Sequence, residues 1–282
     1  YVTHPNGYTS VYAHLQKFSP EIEAYIKKVL YKKQSFEVEV FPDYGELEIK
    51  KNDIIAYTGN TGGSAGPHLH FEIRSSITEK PTNPLLYGYE VRDATNPTLL
   101  GLFGYPLSEG AQINQSAKKI QLNFTKQKDG SFLADKVTAN GTIGFGFNSF
   151  DRQDMAANKN GVYSVTQTVN GKVYSEYEFE TFSFGETRYI NTLIDYAHFG
   201  KYRQRIQKCF KEPSNKLGIY KSLYLDGKII VQEGLDYQVE LRIGDFEGNE
   251  TKVMIPVEGK KQPLKIKNTP KKTDNLVFSN KP

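Results

Sequence analysis

Polar and apolar residues alternate without a break over seven positions that follow a Gly-rich turn. Successive side chains of a β-strand point to opposite faces, so residues two apart share a face. The alternation therefore predicts a half-buried strand over residues 68–74. Its polar face carries His68, His70, Glu72 and Arg74. Two imidazoles on one face suit a metal site, although a His-x-His sequence taken alone favours ordinary surface histidines of an amphipathic strand.

A second stretch near the start of the chain has the same character. It follows residues 5–7, whose Pro-Asn-Gly sequence is typical of a turn. Alternation then predicts one shared face for Tyr8, Ser10, Tyr12 and His14. Placed beside the first strand, this strand would add a third imidazole to the same polar face. Three of the five histidines are thus predicted to converge, whereas His4 is predicted to be structural or solvent-facing.

Residues 19–33 have the periodicity of a helix. Ser19 is suited to cap it, and Pro20 suits its first turn. The apolar side chains recur at helical spacing and form one stripe: Ile22, Tyr25, Ile26, Val29 and Leu30. The pattern predicts a small helical insertion, followed by a short strand over 36–41. This helix either packs as a purely structural element or forms a wall or lid of a substrate groove.

The pattern changes in the second part of the chain. Residues 91–111 are punctuated by Pro and Gly and are predicted to be a linker. Beyond them, short strands are separated by Asn-Gly and Asp-Gly pairs typical of hairpin turns, at 129–130, 140–141, 160–161, 170–171 and 226–227. We predict an immunoglobulin-like β-sandwich over 112–258 with a helical insertion near 187–198. The tail, 259–282, is predicted to be disordered.

Three further features of the sequence carry no chemistry in this interpretation. The Asp-x-x-Gly-Asn sequence at 245–249 has too few ligands for a calcium loop and is predicted to be a hairpin corner. His198 and Cys209 are predicted to fill core or surface positions, because no second cysteine completes a metal pair. The glycines of 59–67 are predicted to let the backbone approach the site closely.

Composition limits the possible classes of protein. The chain has 19 Tyr, 17 Phe and many Asn-Gly or Asp-Gly pairs, which favours β structure. A single cysteine excludes an intrachain disulfide. The net charge of only +4 does not indicate a nucleic-acid partner. No run of 18 apolar residues exists, so no transmembrane segment is predicted.

Three short motifs occur in the order of a known family, and they are Tyr12-Ala13-His14-Leu15, Gly59-Asn60-Thr61-Gly62 and Gly66-Pro67-His68-Leu69-His70-Phe71-Glu72. With them, residues 1–90 resemble the lysostaphin-type (LytM-like) zinc metallopeptidases, which cut peptidoglycan cross-bridges. The resemblance implies an antiparallel β peptidase domain over 1–90, with the helical insertion near 19–33. The fold class predicted for the whole chain is therefore mainly β, with two domains.

The resemblance also implies roles for three histidines. His70 corresponds to a Zn²⁺ ligand of the family, His68 to a catalytic histidine beside the metal, and His14 to its catalytic companion. The family's other two zinc ligands belong to an upstream His-x-x-x-Asp motif, and none of the five histidines here has an Asp four residues later. Since catalytic zinc typically has three protein ligands, we expect those two ligands to precede Tyr1. The peptidase domain is then N-terminally truncated, and this fragment alone is inactive.

The leading hypothesis is a zinc-dependent endopeptidase that hydrolyses peptide bonds in peptidoglycan stem peptides or cross-bridges, in the periplasm or outside the cell. Its second domain would serve as a binding module or as a spacer, and envelope proteins would be its partners. The alternative is a non-catalytic LytM-like protein that regulates or binds other cell-wall hydrolases. Retention of all three imidazoles argues against that alternative. An unrelated metal-binding sandwich is a third interpretation, which the Tyr-Ala-His-Leu motif disfavours.

Overall fold

A computed structural model describes residues 1–261 and residue 263. The fold is mainly β with few helices, which confirms the predicted fold class at that level. The described chain forms two compact units. The first contains Tyr1–Arg92, Glu178–Ile190 and Lys216–Ile219, and the second contains the remaining segments.

The first unit is built on a small antiparallel sheet. Its strands in the N-terminal part of the chain are β1 (Val2–Thr3), β2 (Tyr8–Ala13), β3 (Leu15–Phe18), β4 (Ala56–Thr58), β5 (His70–Ser75) and β6 (Pro81–Thr82). The four-stranded sheet has the order β1-β2-β5-β6, and β3 pairs separately with β4. Val11 and Ile73 are its buried hydrophobic side chains. This sheet places the two strands that carry candidate histidines side by side.

The predicted helical insertion is present as α1 (Pro20–Lys33). Ser19 precedes it in extended conformation, but its side chain forms no capping hydrogen bond. The helix ends at Gln34, which adopts a left-handed φ of 46°. None of the α1 side chains is fully buried, so the apolar stripe is only half covered. The strand predicted over 36–41 is wrong, because those residues join no sheet.

The second unit is a larger β structure. Its strands are β7 (Thr98–Pro106), β8 (Gln112–Ile113), β9 (Ile120–Leu122), β10 (Phe124–Lys126), β11 (Phe132–Ala134), β12 (Val137–Phe150), β13 (Ser164–Val169), β14 (Lys172–Glu178), β15 (Gln207–Lys208), β16 (Tyr220–Leu223), β17 (Ile229–Val231), β18 (Asp236–Gly244) and β19 (Glu250–Gly259). Its main path runs β16-β14-β13-β18-β19-β12-β7-β9. The immunoglobulin-like assignment of this unit remains a prediction.

Strand β12 organises the second unit. It is 14 residues long and pairs with β7, β8, β15, β17 and β19. Phe145 and Phe147 on this strand are fully buried, as are Leu241 on β18 and Ile255 on β19. Side chains from several strands thus share one hydrophobic core, whose burial supplies most of the stabilisation.

Consecutive paired strands are joined by the predicted turns at 129–130, 170–171 and 245–249. The predicted turns at 140–141, 160–161 and 226–227 join no such pair of strands. Asn170 and Gly171 join β13 to β14 with φ values of 49° and 80°, as a tight hairpin turn requires. Residues 245–249 join β18 to β19, so the predicted hairpin corner there is confirmed. Asn140 and Gly141 instead lie inside β12, where Gly141 has a φ of 73°, and the hairpin predicted at 140–141 is wrong.

The segment predicted to be a linker is largely structured. Residues 91–111 contain β7, whose side chains at Leu102 and Phe103 are buried. The hydrophobic residues between the Pro and Gly positions form a buried strand there, although Pro and Gly are typical of turns. The other domain boundaries remain predictions. Apart from its first few residues, the tail predicted to be disordered, 259–282, lies outside the described residues.

The helical insertion predicted near 187–198 is confirmed in outline but is longer and interrupted. A 3₁₀ turn (Phe184–Tyr189) leads into α2 (Ile190–Leu193), and α3 (Tyr196–Tyr202) follows. Asp195 caps α3 by accepting a hydrogen bond from the backbone N–H of His198. No helix in the described part of the chain is both long enough and apolar enough to cross a bilayer.

The histidine of the second unit has structural partners, and its cysteine is buried. His198 contacts Lys119, with 3.1 Å between Nδ1 and Nζ, and its ring packs on Phe103. Cys209 is 1% exposed, and burial raises the pKa of its thiol. A buried thiol with a raised pKa is a poor nucleophile, so Cys209 is not a candidate for nucleophilic chemistry.

Candidate active site

Three imidazoles meet in the first unit. The ring centroids of His14 and His68 lie 4.7 Å apart, and those of His14 and His70 lie 5.7 Å apart. The three residues come from the end of β2, the Gly-rich turn and the start of β5. The structure therefore brings together the three histidines that the sequence predicted to converge, and their chemical roles remain predictions.

His14 reaches the cluster by leaving the strand. Ala13 lies opposite His70 and Val11 opposite Glu72, so these side chains share one face. A regular continuation of β2 would place His14 on the other face, which makes the predicted face assignment wrong. The strand instead ends at Ala13, and His14 adopts a left-handed φ of 59°. That conformation costs roughly 1–3 kcal/mol for a residue other than glycine, so the surroundings must hold it.

His68 also lies outside the strand predicted for it. Strand β5 begins at His70, two residues later than the alternation suggests. The backbone N–H of His68 donates to the carbonyl oxygen of Gly59 at 3.2 Å, which ties the end of the Gly-rich turn to its beginning. The Gly-rich turn, rather than β5, therefore orients this ring.

Backbone carbonyls determine the tautomers of His14 and His68. Nδ1 of His14 lies 2.8 Å from the carbonyl oxygen of Thr61, and Nδ1 of His68 lies 2.8 Å from that of Gly66. A carbonyl oxygen only accepts hydrogen bonds, so Nδ1 carries the hydrogen in both rings. In each neutral ring, Nε2 then bears the lone pair and can accept a proton.

His70 has the opposite arrangement. Its Nε2 lies 2.5 Å from Oε1 of Glu72, and Nε of Arg74 donates to Oε2 of the same carboxylate at 2.7 Å. The hydrogen bond from Arg74 is the main cause that lowers the pKa of Glu72, with His70 adding to it against the effect of burial. An ionised Glu72 fixes the hydrogen of His70 on Nε2 and leaves the lone pair on Nδ1.

A carboxylate behind an imidazole is the usual support of a histidine that binds a metal, because it fixes the tautomer and raises the basicity of the other nitrogen. The sequence placed Glu72 on the polar face of the strand but assigned it no role. The signal was present in the spacing, since residues two apart on a strand lie side by side. Glu72 is thus the site residue that sequence reasoning missed.

The cluster fits one part of a zinc site. His70 offers Nδ1 as a nitrogen ligand of the kind that zinc prefers. Among the described residues, however, the three histidines do not form a group whose ligand atoms could share one ion. The assignment of His70 as the metal ligand, with His14 and His68 beside the metal, remains a prediction.

A groove of about 420 Å³ lies next to His14. It is lined by residues 12–18, by Thr61 and by Glu23 of α1. The helical insertion thus contributes a carboxylate to the wall of this groove. Of the two interpretations of the helix, this contact favours the groove wall.

Gly59 allows the close approach that holds His14 in place. A Cβ atom at this position would lie 2.5 Å from the backbone nitrogen of Gln16, too close for any real contact. Gly63, in the same turn, has nothing within 4 Å of the corresponding position. The lack of a side chain at Gly59 lets the turn pack on the residues just after His14, so that Thr61 reaches the ring.

We expect Gly59→Ala to destabilise the first unit by about 1–3 kcal/mol, the usual cost of overpacking, and to loosen the hydrogen bond between His14 and Thr61. Urea unfolding would measure the stability, and the Nδ1–H signal of His14 in NMR spectra would report the hydrogen bond. Gly63→Ala is the matched control and should change neither. Equal effects of both substitutions would contradict the proposed role of Gly59.

Part of the chain is similar in sequence to known peptidases. Residues 43–84 match peptidase family M23. Over 84 residues the chain is 31% identical to the DD-carboxypeptidase/endopeptidase Mpg of Neisseria meningitidis serogroup B, and 30% identical to the protein of the same name from Neisseria gonorrhoeae. Each alignment covers 30% of this chain and 14% of the relative, so the chain spans a small part of the length of these curated relatives. No solved structure matches the chain significantly.

The matched segment contains the Gly-rich turn, His68, His70 and Glu72, whereas His14 precedes it. The resemblance to lysostaphin-type enzymes, predicted from three motifs, is thereby confirmed at the level of the family. Residues 43–84 of the chain are therefore similar to peptidase family M23.

Proposed function

We propose that the chain is part of a zinc-dependent endopeptidase that hydrolyses peptide bonds in peptidoglycan stem peptides or cross-bridges, in the periplasm or outside the cell. The observation that carries the proposal is the convergence of three imidazoles with complementary tautomers. The match to a peptidase family and the names of the relatives support the reaction class.

In this proposal His70 holds the zinc ion through Nδ1, while Glu72 and Arg74 keep the ring in place. Bound zinc would polarise the scissile carbonyl and lower the pKa of a coordinated water to roughly 7. Two further ligands, in a His-x-x-x-Asp motif, would be supplied by the intact protein from outside these 282 residues. With His70 as its single ligand of this kind, the present chain would bind zinc weakly.

His14 and His68 would handle protons at Nε2. A neutral ring there accepts a proton from the attacking water, and a protonated ring donates one to the oxyanion or to the departing amine. Both forms of an imidazole are accessible near neutral pH. The carbonyls of Thr61 and Gly66 hold the two rings in the required tautomer throughout, because neither carbonyl can donate a hydrogen.

Replacing Glu72 by glutamine tests the support of the proposed ligand. We expect zinc affinity of the full-length protein to fall by about 10–100-fold, the usual effect of losing the carboxylate behind a metal-binding histidine. Competition with a chromophoric chelator would measure it. Glu79→Gln is the matched control, since Glu79 also faces Arg74, at 3.6 Å, but does not contact His70. Equal losses in both variants would show that Arg74, and not the carboxylate behind His70, sets the affinity.

The function is tested directly with full-length protein, zinc and purified peptidoglycan. The expected products are muropeptides with new amino and carboxyl termini and intact glycan strands, identified by mass spectrometry. A chelator should stop the reaction, and added zinc should restore it. Binding of peptidoglycan without cleavage by the zinc-loaded protein would overturn the proposal in favour of the regulatory alternative.

The second unit is proposed to be a binding module or a spacer without catalytic activity of its own. Envelope proteins are its proposed partners. In the part of the chain that the structure describes, the histidine of this unit contacts Lys119, and its cysteine is free and buried.

A further inference from the structure

Three aspartates of the second unit converge on one point. A carboxylate oxygen from each of Asp93, Asp151 and Asp245 lies within 4.8 Å of the corresponding oxygens of the other two. The three residues belong to different segments of the chain, before β7, directly after β12 and directly after β18. Because the last residue of β12 pairs with the first residue of β7, the antiparallel register brings the first two segments together.

The carboxylate of Asp151 is buried without a complete set of partners. Its residue is 6% exposed, and its Oδ1 atom is buried and has no hydrogen-bond partner. The unpaired oxygen belongs to the same carboxylate group that lies close to the other two aspartates. A buried polar atom without a partner is unusual in a native fold and indicates an absent partner.

The other two carboxylates are held in place. Asp245 is 5% exposed and accepts hydrogen bonds from the backbone N–H and the side-chain Nδ2 of Asn249. Nδ2 of Asn249 also donates to the backbone carbonyl of Asp93, which joins two of the three segments. Asp93 is further fixed through Oδ1 by the backbone N–H of Thr95. These bonds orient the carboxylates before any ligand binds.

No ion pair within the described chain neutralises this cluster, because no Lys, Arg or His nitrogen lies within 4.0 Å of these three carboxylates. Burial, and then the charges of Asp93 and Asp245, raise the pKa of Asp151 to about 6. Buried like charges are costly unless a counter-ion is present. A divalent cation would supply both the missing charge and the missing partner of Oδ1.

We propose that Asp93, Asp151 and Asp245 bind a calcium ion that links the loops around β7, β12 and β18. The ligands are oxygen atoms alone, which suits a hard cation and disfavours zinc. Calcium accepts varied geometries and 6–8 oxygen ligands, whereas magnesium requires a near-ideal octahedron. Carboxylates from three separate loops suit the more tolerant ion.

This site differs from a calcium loop encoded in one stretch of sequence. The turn at 245–249 supplies one carboxylate, and the other two arrive through the folding of distant segments. The ion would therefore act as a structural clamp of the second unit, independent of the chemistry at the histidine cluster. Its binding free energy would appear as resistance to unfolding.

Thermal unfolding of the full chain, with and without calcium, tests the proposal. With a dissociation constant of about 10⁻⁴ M, as in extracellular modules, roughly 10 mM calcium should raise the Tm of the second unit by about 5–10 °C. Isothermal titration with calcium chloride should give one site per chain. The same concentration of magnesium should give a clearly smaller shift.

Asp151→Asn is the decisive variant, because it keeps the shape of the side chain and removes one negative charge. It should lose the calcium-dependent shift yet remain folded without calcium, since it relieves repulsion in the cluster. Asp154→Asn is the matched control: Asp154 accepts a hydrogen bond from Thr95 nearby but is not part of the cluster. It should keep the shift.

Two results would overturn the proposal. One is a parent chain whose Tm does not respond to calcium, and the other is an Asp151→Asn variant that responds as the parent does. A larger shift with magnesium than with calcium would overturn the choice of ion. These experiments do not measure peptidoglycan cleavage. A failure of the proposed function would therefore leave the calcium proposal unchanged.

Discussion

His70→Ala is expected to abolish cleavage of peptidoglycan peptides by the full-length protein. The substitution removes the one metal ligand that this chain is proposed to supply, together with the nitrogen that Glu72 orients. Without bound zinc, neither the attacking water nor the scissile carbonyl is activated. The loss should exceed the ~10²–10⁴-fold effect of removing a general acid or base. Mass spectrometry of released muropeptides measures the cleavage, and elemental analysis measures the zinc content.

The matched control is His4→Ala, which removes an imidazole of the same unit from outside the cluster. Nε2 of His4 contacts the hydroxyl of Ser10 at 2.8 Å and none of the three candidate histidines. The control should retain both zinc and cleavage. Full cleavage by His70→Ala with undiminished zinc content would refute the ligand assignment.

His14→Ala and His68→Ala are each expected to lower the rate of cleavage by about 10²–10⁴-fold, the usual contribution of a general acid or base. Both variants should keep their zinc, because the two rings are placed beside the metal in the proposal. A variant that loses its cleavage rate but keeps its zinc identifies a residue that transfers protons, whereas loss of both identifies a metal ligand. Steady-state rates and zinc stoichiometry on the same samples provide the measurement.

The two histidines should also depend on each other. Residues that act as a unit have effects that do not add, and the ring centroids of His14 and His68 are only 4.7 Å apart. The double variant should therefore be little slower than the slower single variant. Fully multiplicative losses would indicate separate roles, and loss of zinc from His14→Ala would make it a ligand.

Local sequence patterns predicted the elements that depend on local interactions. The helix α1 was predicted from its apolar stripe and first turn, and the turn at Asn170 and Gly171 from a dipeptide that tolerates positive φ. Both depend on contacts within a few residues. Two of the predictions that are wrong, a strand at 36–41 and a hairpin at 140–141, concern stretches whose state depends on distant partners. Strand β12 passes through Gly141 because β17 and β8 pair with it there.

The sequence by itself identified the residues that are proposed to carry the chemistry. The motifs around His14, His68 and His70 identified the family, and alternation placed His70, Glu72 and Arg74 on one face of a strand. These conclusions need only the two-residue repeat of a strand and the order of short motifs.

Only the tertiary structure decided how His14 joins the cluster and where three aspartates meet. The first depends on a single left-handed residue held by the carbonyl of Thr61, because a regular continuation of β2 in its observed register would place His14 on the opposite face. The second depends on the register between β12 and β7 and on the turn after β18. Both are contacts between segments far apart in the chain, and their geometry is set by packing rather than by any local preference.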